Sequence, residues 1–431
     1  MNRKQNLLLG SALAVTALVV ACAGGAQEAG GGGGGGEESA AMLSMDPSAG
    51  VPTFEVDPLF PKNLPNHWLM GPTIGVDVDS RDHIWVVHRN TANQFVANTE
   101  VGLAQDPPLS ECCQPGPPVL EFDQEGNLAG SWGGPGTETG DYVWPLSNHG
   151  ITVDGMDNVW IGGNGGSDSH VVKFDRQGNF LMQIGTPGAR MTGPISERTG
   201  EPTAVRDSHS MDSFGRVAKI GIDNEANEAY FADGYFNRRV AVVDMDSGEM
   251  KRYWGAYGNE PDDDVDLGRY SNGSEPAQQF RGPVHCSEIS NDGMVYVCDR
   301  AADRVQVFQK DGTFVAEYIY NPATLSQGST WDIDFSHDPE QKYIYLADGQ
   351  NMKVYIIERE TMEVLTAFGD GGRQPGMFFA VHSIAVDSMG NIYTTETYEG
   401  SRLQRFVFRG YAPVPAGAEG LKSQGVLWPS N

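Results

Sequence analysis

Of the nine histidines in the chain, three stand at one recurring place, where a short apolar run begins. They are His149 in Ser147-Asn148-His149-Gly150-Ile151, His285 in Gly282-Pro283-Val284-His285-Cys286 and His382 in Ala380-Val381-His382-Ser383-Ile384. Neutral imidazoles brought to one point from three segments form an open zinc site, with a fourth position left for water or substrate. A histidine there also serves simply as a hydrogen-bonded channel residue; the shared phase of the three favours a metal. Three further polar residues each follow the next apolar run of their own unit. They are Arg89 in Val86-Val87-His88-Arg89, Tyr235 in Asp233-Gly234-Tyr235-Phe236-Asn237-Arg238-Arg239, and Arg300 in Cys298-Asp299-Arg300. Guanidinium groups grip carboxylates and stabilise developing negative charge, and a phenol beside cations serves as a base. Taken singly, the two arginines also suit pairing with carboxylates, and Tyr235 suits capping the end of its unit. The other six, His67, His83, His88, His170, His209 and His337, lie off this phase and read as surface or strand residues.

The elements that must bring these residues together are repeats. A short apolar strand ends near an Asp, a Gly or Asn turn follows, and a β-rich strand ends in a polar residue. Gly75-Val76-Asp77-Val78-Asp79 leads in this way to Ile84-Trp85-Val86-Val87, and Gly150-Ile151-Thr152-Val153-Asp154 to Val159-Trp160-Ile161. Equivalent pairs begin at Ile220, Ser287, Trp331 and Ile384, which makes six units. Each reads as a four-stranded antiparallel meander with β-branched and aromatic strands and Gly, Asp and Asn turns. One such sheet cannot bury both faces; six arranged radially can, so the predicted fold is an all-β, six-bladed β-propeller. Innermost strands of a propeller converge on its axial channel, and equivalent positions then point at a common spot. Thr53-Phe54-Glu55-Val56-Asp57 is expected to complete the last blade and close the ring. Insertions 90–118, 186–216 and 258–281 are too long for hairpin turns and read as functional or mobile loops. The acidic run Asp262-Asp263-Asp264 lacks an EF-hand spacing and reads as a solvated loop.

Over residues 53–409 the repeat resembles the NHL family. The combination of motifs further resembles the lyase domain of the peptidylglycine α-amidating enzyme, peptidyl-α-hydroxyglycine α-amidating lyase (peptidylamidoglycolate lyase). His88-Arg89 matches that family's first motif, and His149-Gly150-Ile151 the second. Asp233-Gly234-Tyr235-Phe236-Asn237-Arg238-Arg239 matches the third, Asp299-Arg300 the arginine motif that follows His285, and His382-Ser383-Ile384 the last. The resemblance implies Zn2+ bound by His149, His285 and His382, with Tyr235, Arg89 and Arg300 catalytic. It implies cleavage of the C–N bond of a small or peptidyl carbinolamide to an amide and glyoxylate. The chain departs from the family at three places. Ser383 replaces the Asp that there helps hold a structural Ca2+, Ala380 replaces a Met, and Cys286-Ser287-Glu288 replaces an apolar pattern. The alternatives are a non-catalytic NHL propeller that binds a peptide, glycan or envelope protein, and a lactonase-like hydrolase. The second lacks the acidic calcium set its chemistry needs at this repeat phase.

Composition bounds the rest. With 29 basic and 57 acidic residues the formal charge is −28, which argues against nucleic acid and against a basic membrane-surface helix. The 55 Gly and 25 Pro follow no collagen period, and 10% aromatic residues is too many for a disordered chain. Residues 1–21 have the layout of a secretory signal: Arg3 and Lys4, then an apolar stretch from Leu7 to Val20. Val19-Val20-Ala21-Cys22 resembles a bacterial lipobox, which implies a lipid on Cys22 and a place in the cell envelope, at the outer membrane or periplasmic face. Residues 22–50, with Gly30 to Gly36 in a run, read as a flexible tether; 51–410 as the propeller; and 411–431 as an irregular tail. Contact with the membrane is expected through Cys22 alone, and the chain is expected to be a monomer. Export permits disulfides. Cys286 and Cys298 lie symmetrically about Asp292 in a predicted hairpin, either bonded or packed as small hydrophobes, and the Cys112-Cys113 pair is open.

Overall fold

The computed structural model of the protein describes residues 43–90 and 100–414. The signal segment, Cys22 and the glycine run lie outside the described residues, as does the chain beyond residue 414. Six four-stranded antiparallel sheets follow one another as blades, and the described helices are all single 3-10 turns. Their inner strands are, in order, Thr73–Val78, Asn148–Val153, Ile220–Asp223, Val284–Ile289, Asp332–Phe335 and Val381–Val386. Each inner strand touches the next, and the sixth touches the first, so the ring is closed.

The closing device joins the two ends of the domain. Val51–Asp57 supplies the outer strand of blade 6 and pairs with Arg402–Ala412, so the strand starts two residues before the expected Thr53. Second strands are almost wholly buried, as in Ile84–His88, Val159–Gly163 and Tyr343–Asp348, because each blade is covered on both faces by its neighbours. Outer strands such as Phe180–Gly185 are half-exposed.

The repeated Asp after the inner strand has a local cause. Asp154 Oδ1 accepts from the N–H groups of Met156 and Asn158, both at 3.0 Å, while Trp160 Nε1 donates to Oδ2 at 3.0 Å. Asp79 does the same for Arg81, His83 and Trp85, and Asp387 for Met389, Asn391 and the Tyr393 hydroxyl. One carboxylate thus closes the turn and ties the buried aromatic ring of the second strand to it.

Cys286 and Cys298 face each other in register and form a disulfide, and Cys112 bonds to Cys113, which settles what their spacing left open. Asp263 is more than a solvated loop residue. It accepts from Ser208 N at 2.7 Å and Ser208 Oγ at 2.6 Å, and so pins two long insertions together.

Candidate metal centre

Six residues share one phase at the start of the inner strands: Ile74, His149, Ala218, His285, Trp331 and His382. Histidine falls in blades 2, 4 and 6 and a non-polar residue in blades 1, 3 and 5, so the three imidazoles approach the axis with threefold disposition. Blades 3 and 5 each hold the ring of the even blade before them. His149 Nδ1 lies 2.7 Å from the Ala218 carbonyl, and His285 Nδ1 bonds the Trp331 carbonyl. His382 Nδ1 is buried beside the Ile74 backbone and makes no hydrogen bond among the described residues.

The strands turn these side chains inward through bulges. The pairing register shifts between His149 and Ile151, between Val284 and Cys286, and between Val381 and Ser383, so an unpaired residue falls at or beside each histidine. Gly150 sits in the left-handed region with φ +70, and a Cβ there would lie 2.3 Å from the Ala218 oxygen, the acceptor for His149. Gly150→Ala is therefore expected to destabilise the fold by about 1–3 kcal/mol or more, the usual cost of a non-glycine residue held in this region. Denaturant midpoints measure this, with Gly166→Ala, where a Cβ meets nothing within 4 Å, as the neutral control. Equal midpoints for the two variants would contradict it.

The ring centroids of the three histidines are 4.8 to 5.2 Å apart, and their potential ligand atoms all lie within 4.8 Å of one another. Burial holds all three imidazoles well below their usual pKa, so they are neutral. Charge adds to this: Arg89 acts next on His149 and Arg300 on His285, while at His382 a proton would be opposed by any proton on His149 and then by Arg300. With Nδ1–H given to a carbonyl, Nε2 of His149 and His285 carries the free lone pair. The Tyr235 hydroxyl lies 2.9 Å from one Nε2 and 3.0 Å from the other. A single hydroxyl hydrogen cannot satisfy both acceptors, and a cation can. Three neutral imidazole donors at one point therefore fit zinc.

Tyr235 also accepts from Arg300 NH1 at 3.1 Å, and Arg300 NH2 donates to Gln327 Oε1 at 2.6 Å. The Arg300 guanidinium stacks 4.6 Å from the centre of the Trp331 ring, and its buried Nε has no partner among the described residues. Arg89 follows the second strand of blade 1 and donates to Asn164 Oδ1 at 2.8 Å, which also takes the Ser147 hydroxyl. The six sequence-derived residues thus gather at one end of the channel. Trp331, Gln327 and Asn164 are additions. Trp331 shares the histidine phase, which is the signal that marks it; the other two lie on loops with no repeat to flag them. His88 is a buried structural residue: its Nδ1 accepts from Gly71 N at 3.1 Å, its Nε2 lies 2.8 Å from the Pro117 carbonyl, and burial pushes its pKa down to about 4.

Because strands alternate in direction, the second and fourth strands of every blade end where the inner strand begins. The insertions 186–216 and 258–281 follow such ends, as does 90–118, of which 91–99 lie outside the described residues, so all three begin on the histidine face. Two other groups of potential ligands are already engaged. Asp79 and Glu121 pair with Arg176 beside His83, while Asp207 pairs with Arg190 and Asp263 with Ser208 beside the exposed His209.

No protein-family model matches the chain. It is 25% identical over 325 residues to NHL repeat-containing protein 3 of Mus musculus, covering 73% of this chain and 70% of that protein. It is 24% identical over 283 residues to peptidyl-alpha-hydroxyglycine alpha-amidating lyase 1 of Drosophila melanogaster, covering 61% of this chain and 45% of the relative. The chain thus spans less than half the length of that lyase. Superposable solved structures include a virginiamycin B lyase from Staphylococcus aureus, with TM-score 0.42, 11% identity, and coverage of 82% of this chain and 89% of that one. A streptogramin B lyase structure gives TM-score 0.46 at 11% identity, covering 83% and 98%. The protein is a six-bladed β-propeller with sequence similarity to an NHL repeat-containing protein. Over 61% of its length it is also similar in sequence to the peptidyl-alpha-hydroxyglycine alpha-amidating lyase above.

Proposed function

We propose that the protein is a zinc-dependent carbon–nitrogen lyase that splits an α-hydroxyglycine-type carbinolamide, R–CO–NH–CH(OH)–COO⁻, into R–CO–NH2 and glyoxylate. The observation that carries this reading is the shared hydroxyl: Tyr235 Oη within 3.0 Å of Nε2 on both His149 and His285 and 3.1 Å from Arg300. Zinc held by three neutral imidazoles keeps its positive charge and lowers the pKa of a hydroxyl bound to it. The residues of the chain supply the rest. Tyr235, as the general base, takes the proton from the carbinol oxygen. The O–H electron pair becomes the aldehyde C=O bond, the C–N bond breaks, and the departing amide nitrogen takes the proton back from Tyr235. No water is consumed. Arg300, with Nε unpartnered among the described residues and its plane fixed on Trp331, grips the substrate carboxylate, and Arg89 supplies a second positive charge at the same mouth.

The metal-loaded protein is expected to convert N-benzoyl-α-hydroxyglycine to equimolar benzamide and glyoxylate. A chelator stops the reaction and zinc restores it. A second reading has its own support, since the non-enzymatically named NHL relative matches more of the chain than the lyase does. On that reading the histidine face binds a peptide, glycan or envelope protein without turnover. Absence of glyoxylate from the zinc-loaded protein would decide for it.

A further inference from the structure

Below the histidines the axial channel holds a charge cluster that the proposed chemistry does not use. Lys219 leads into the inner strand of blade 3, Glu288 lies in blade 4, Asp332 and Asp334 in blade 5, and Asp77 in blade 1. Lys219 Nζ donates to both Asp332 oxygens at 2.7 and 2.9 Å and lies 2.8 Å from Glu288 Oε1. Its side chain is 11% exposed and that of Asp332 is 2% exposed. Asp332 also accepts the Ser383 hydroxyl at 2.6 Å and the Ile384 N–H at 3.1 Å, both from blade 6. Asp77 and Asp334 are equivalents: each takes a backbone N–H of the following blade, from Val153 and Val386, at 2.7 Å. Burial pushes Asp77 up to about 6, Asp334 to about 7 and Glu288 to about 8, and the charge of Lys219 opposes the shift in each.

The phase of this cluster matters. Lys219 follows Ala218, whose carbonyl holds His149, and Asp332 follows Trp331, whose carbonyl holds His285. Ser383 follows His382 itself. The chain of bonds Lys219–Asp332–Ser383 therefore ties together the three backbone segments that orient the histidines. With Lys219 in place the cluster has too few free oxygens for calcium, which takes six to eight oxygen ligands. Both Asp332 oxygens and one of Glu288 already face an ammonium, and a second cation beside it would be repelled. Ser383 stands where the resembling family has the carboxylate that helps hold calcium.

We propose that Lys219 is the resident cation of the axial channel, filling the place of a divalent ion, and that through Asp332 and Ser383 it is a positioning residue for the histidine triad. The second half rests on the metal reading above. The test uses the full chain loaded with zinc, with Lys219→Ala, Lys219→Arg and Ser383→Ala. Wild type is expected to retain no calcium on equilibrium dialysis and to melt at the same temperature with and without it. Lys219→Ala is expected to melt lower and to release zinc to a chelator about tenfold faster, the scale on which outer-shell partners act. Calcium or n-propylammonium, added alone, restores its melting temperature, and Lys219→Arg retains zinc as wild type does. A structural defect alone is not repaired by a small cation. Ser383→Ala, which keeps the ion pair, is expected to fold and to release zinc a few-fold faster. Stoichiometric calcium on wild type, no rescue of Lys219→Ala, or unchanged zinc release from both the Lys219→Ala and Ser383→Ala variants would overturn the proposal. Should Lys219→Ala fail to fold, unchanged zinc release from Ser383→Ala is enough to do so. If wild type binds no zinc, the metal reading fails, while dialysis and rescue still decide whether Lys219 is the resident cation.

Discussion

Replacing Tyr235 with phenylalanine is expected to lower kcat for carbinolamide cleavage by about a thousandfold, within the range general acid–base groups contribute. Zinc content and substrate KM are expected to stay close to wild type. The physical basis is that the ring of Tyr235 packs edge-on against His149, with centroids 4.8 Å apart, and beneath Arg300, while only its oxygen meets the two Nε2 atoms. Phenylalanine keeps that packing and removes one atom, the one that must accept and return the proton. A structural role for Tyr235 would instead appear as lost stability or lost metal with turnover per bound zinc unchanged. Single-turnover kinetics on zinc-matched samples separates the two outcomes.

His382→Ala is expected to weaken zinc binding by more than the roughly 10- to 100-fold cost of outer-shell changes, because it removes a ligand outright. Glyoxylate release falls to background at ordinary zinc concentrations. Zinc should raise the melting temperature of wild type and leave that of the variant unchanged, since only a folded state that binds the ion is stabilised by it. The substitution tests the threefold arrangement well because His382 makes no hydrogen bond to Tyr235 among the described residues; it touches the centre through its ring contacts with His149 and His285. A variant that still gains stability from zinc as wild type does would show that the ion sits elsewhere.

Much of the ring is legible in the chain because each blade repeats one solution to one problem. The carboxylate that closes a turn and holds an indole or phenol, as Asp79, Asp154 and Asp387 do, forces the same spacing each time. The histidines are legible for the same reason: a fixed phase in a closed ring becomes a fixed point in space. What holds them is less visible. The acceptors for His149 and His285 are backbone carbonyls of Ala218 and Trp331, and a carbonyl leaves no mark on residue type. Gln327 and Asn164 lie in irregular loops where no repeat constrains position. The spacing of Cys286 and Cys298 about Asp292 predicts that they face each other, yet facing sulfurs are equally compatible with packing and with a bond; the structure has the bond. Lys219 is hidden for another reason. A lysine beside an inner strand reads as a surface residue until Asp332, more than a hundred residues later in the chain, is seen opposite its ammonium.

The most direct measurement is elemental analysis of the full chain, purified without chelator and dialysed against metal-free buffer, run beside the variant His149→Ala, His285→Ala, His382→Ala. The expected result is one zinc ion per wild-type chain and none in the triple variant, which still folds. Metal-free wild type under zinc-replete conditions, or equal zinc in both proteins, would contradict a metal centre at the hub of the ring.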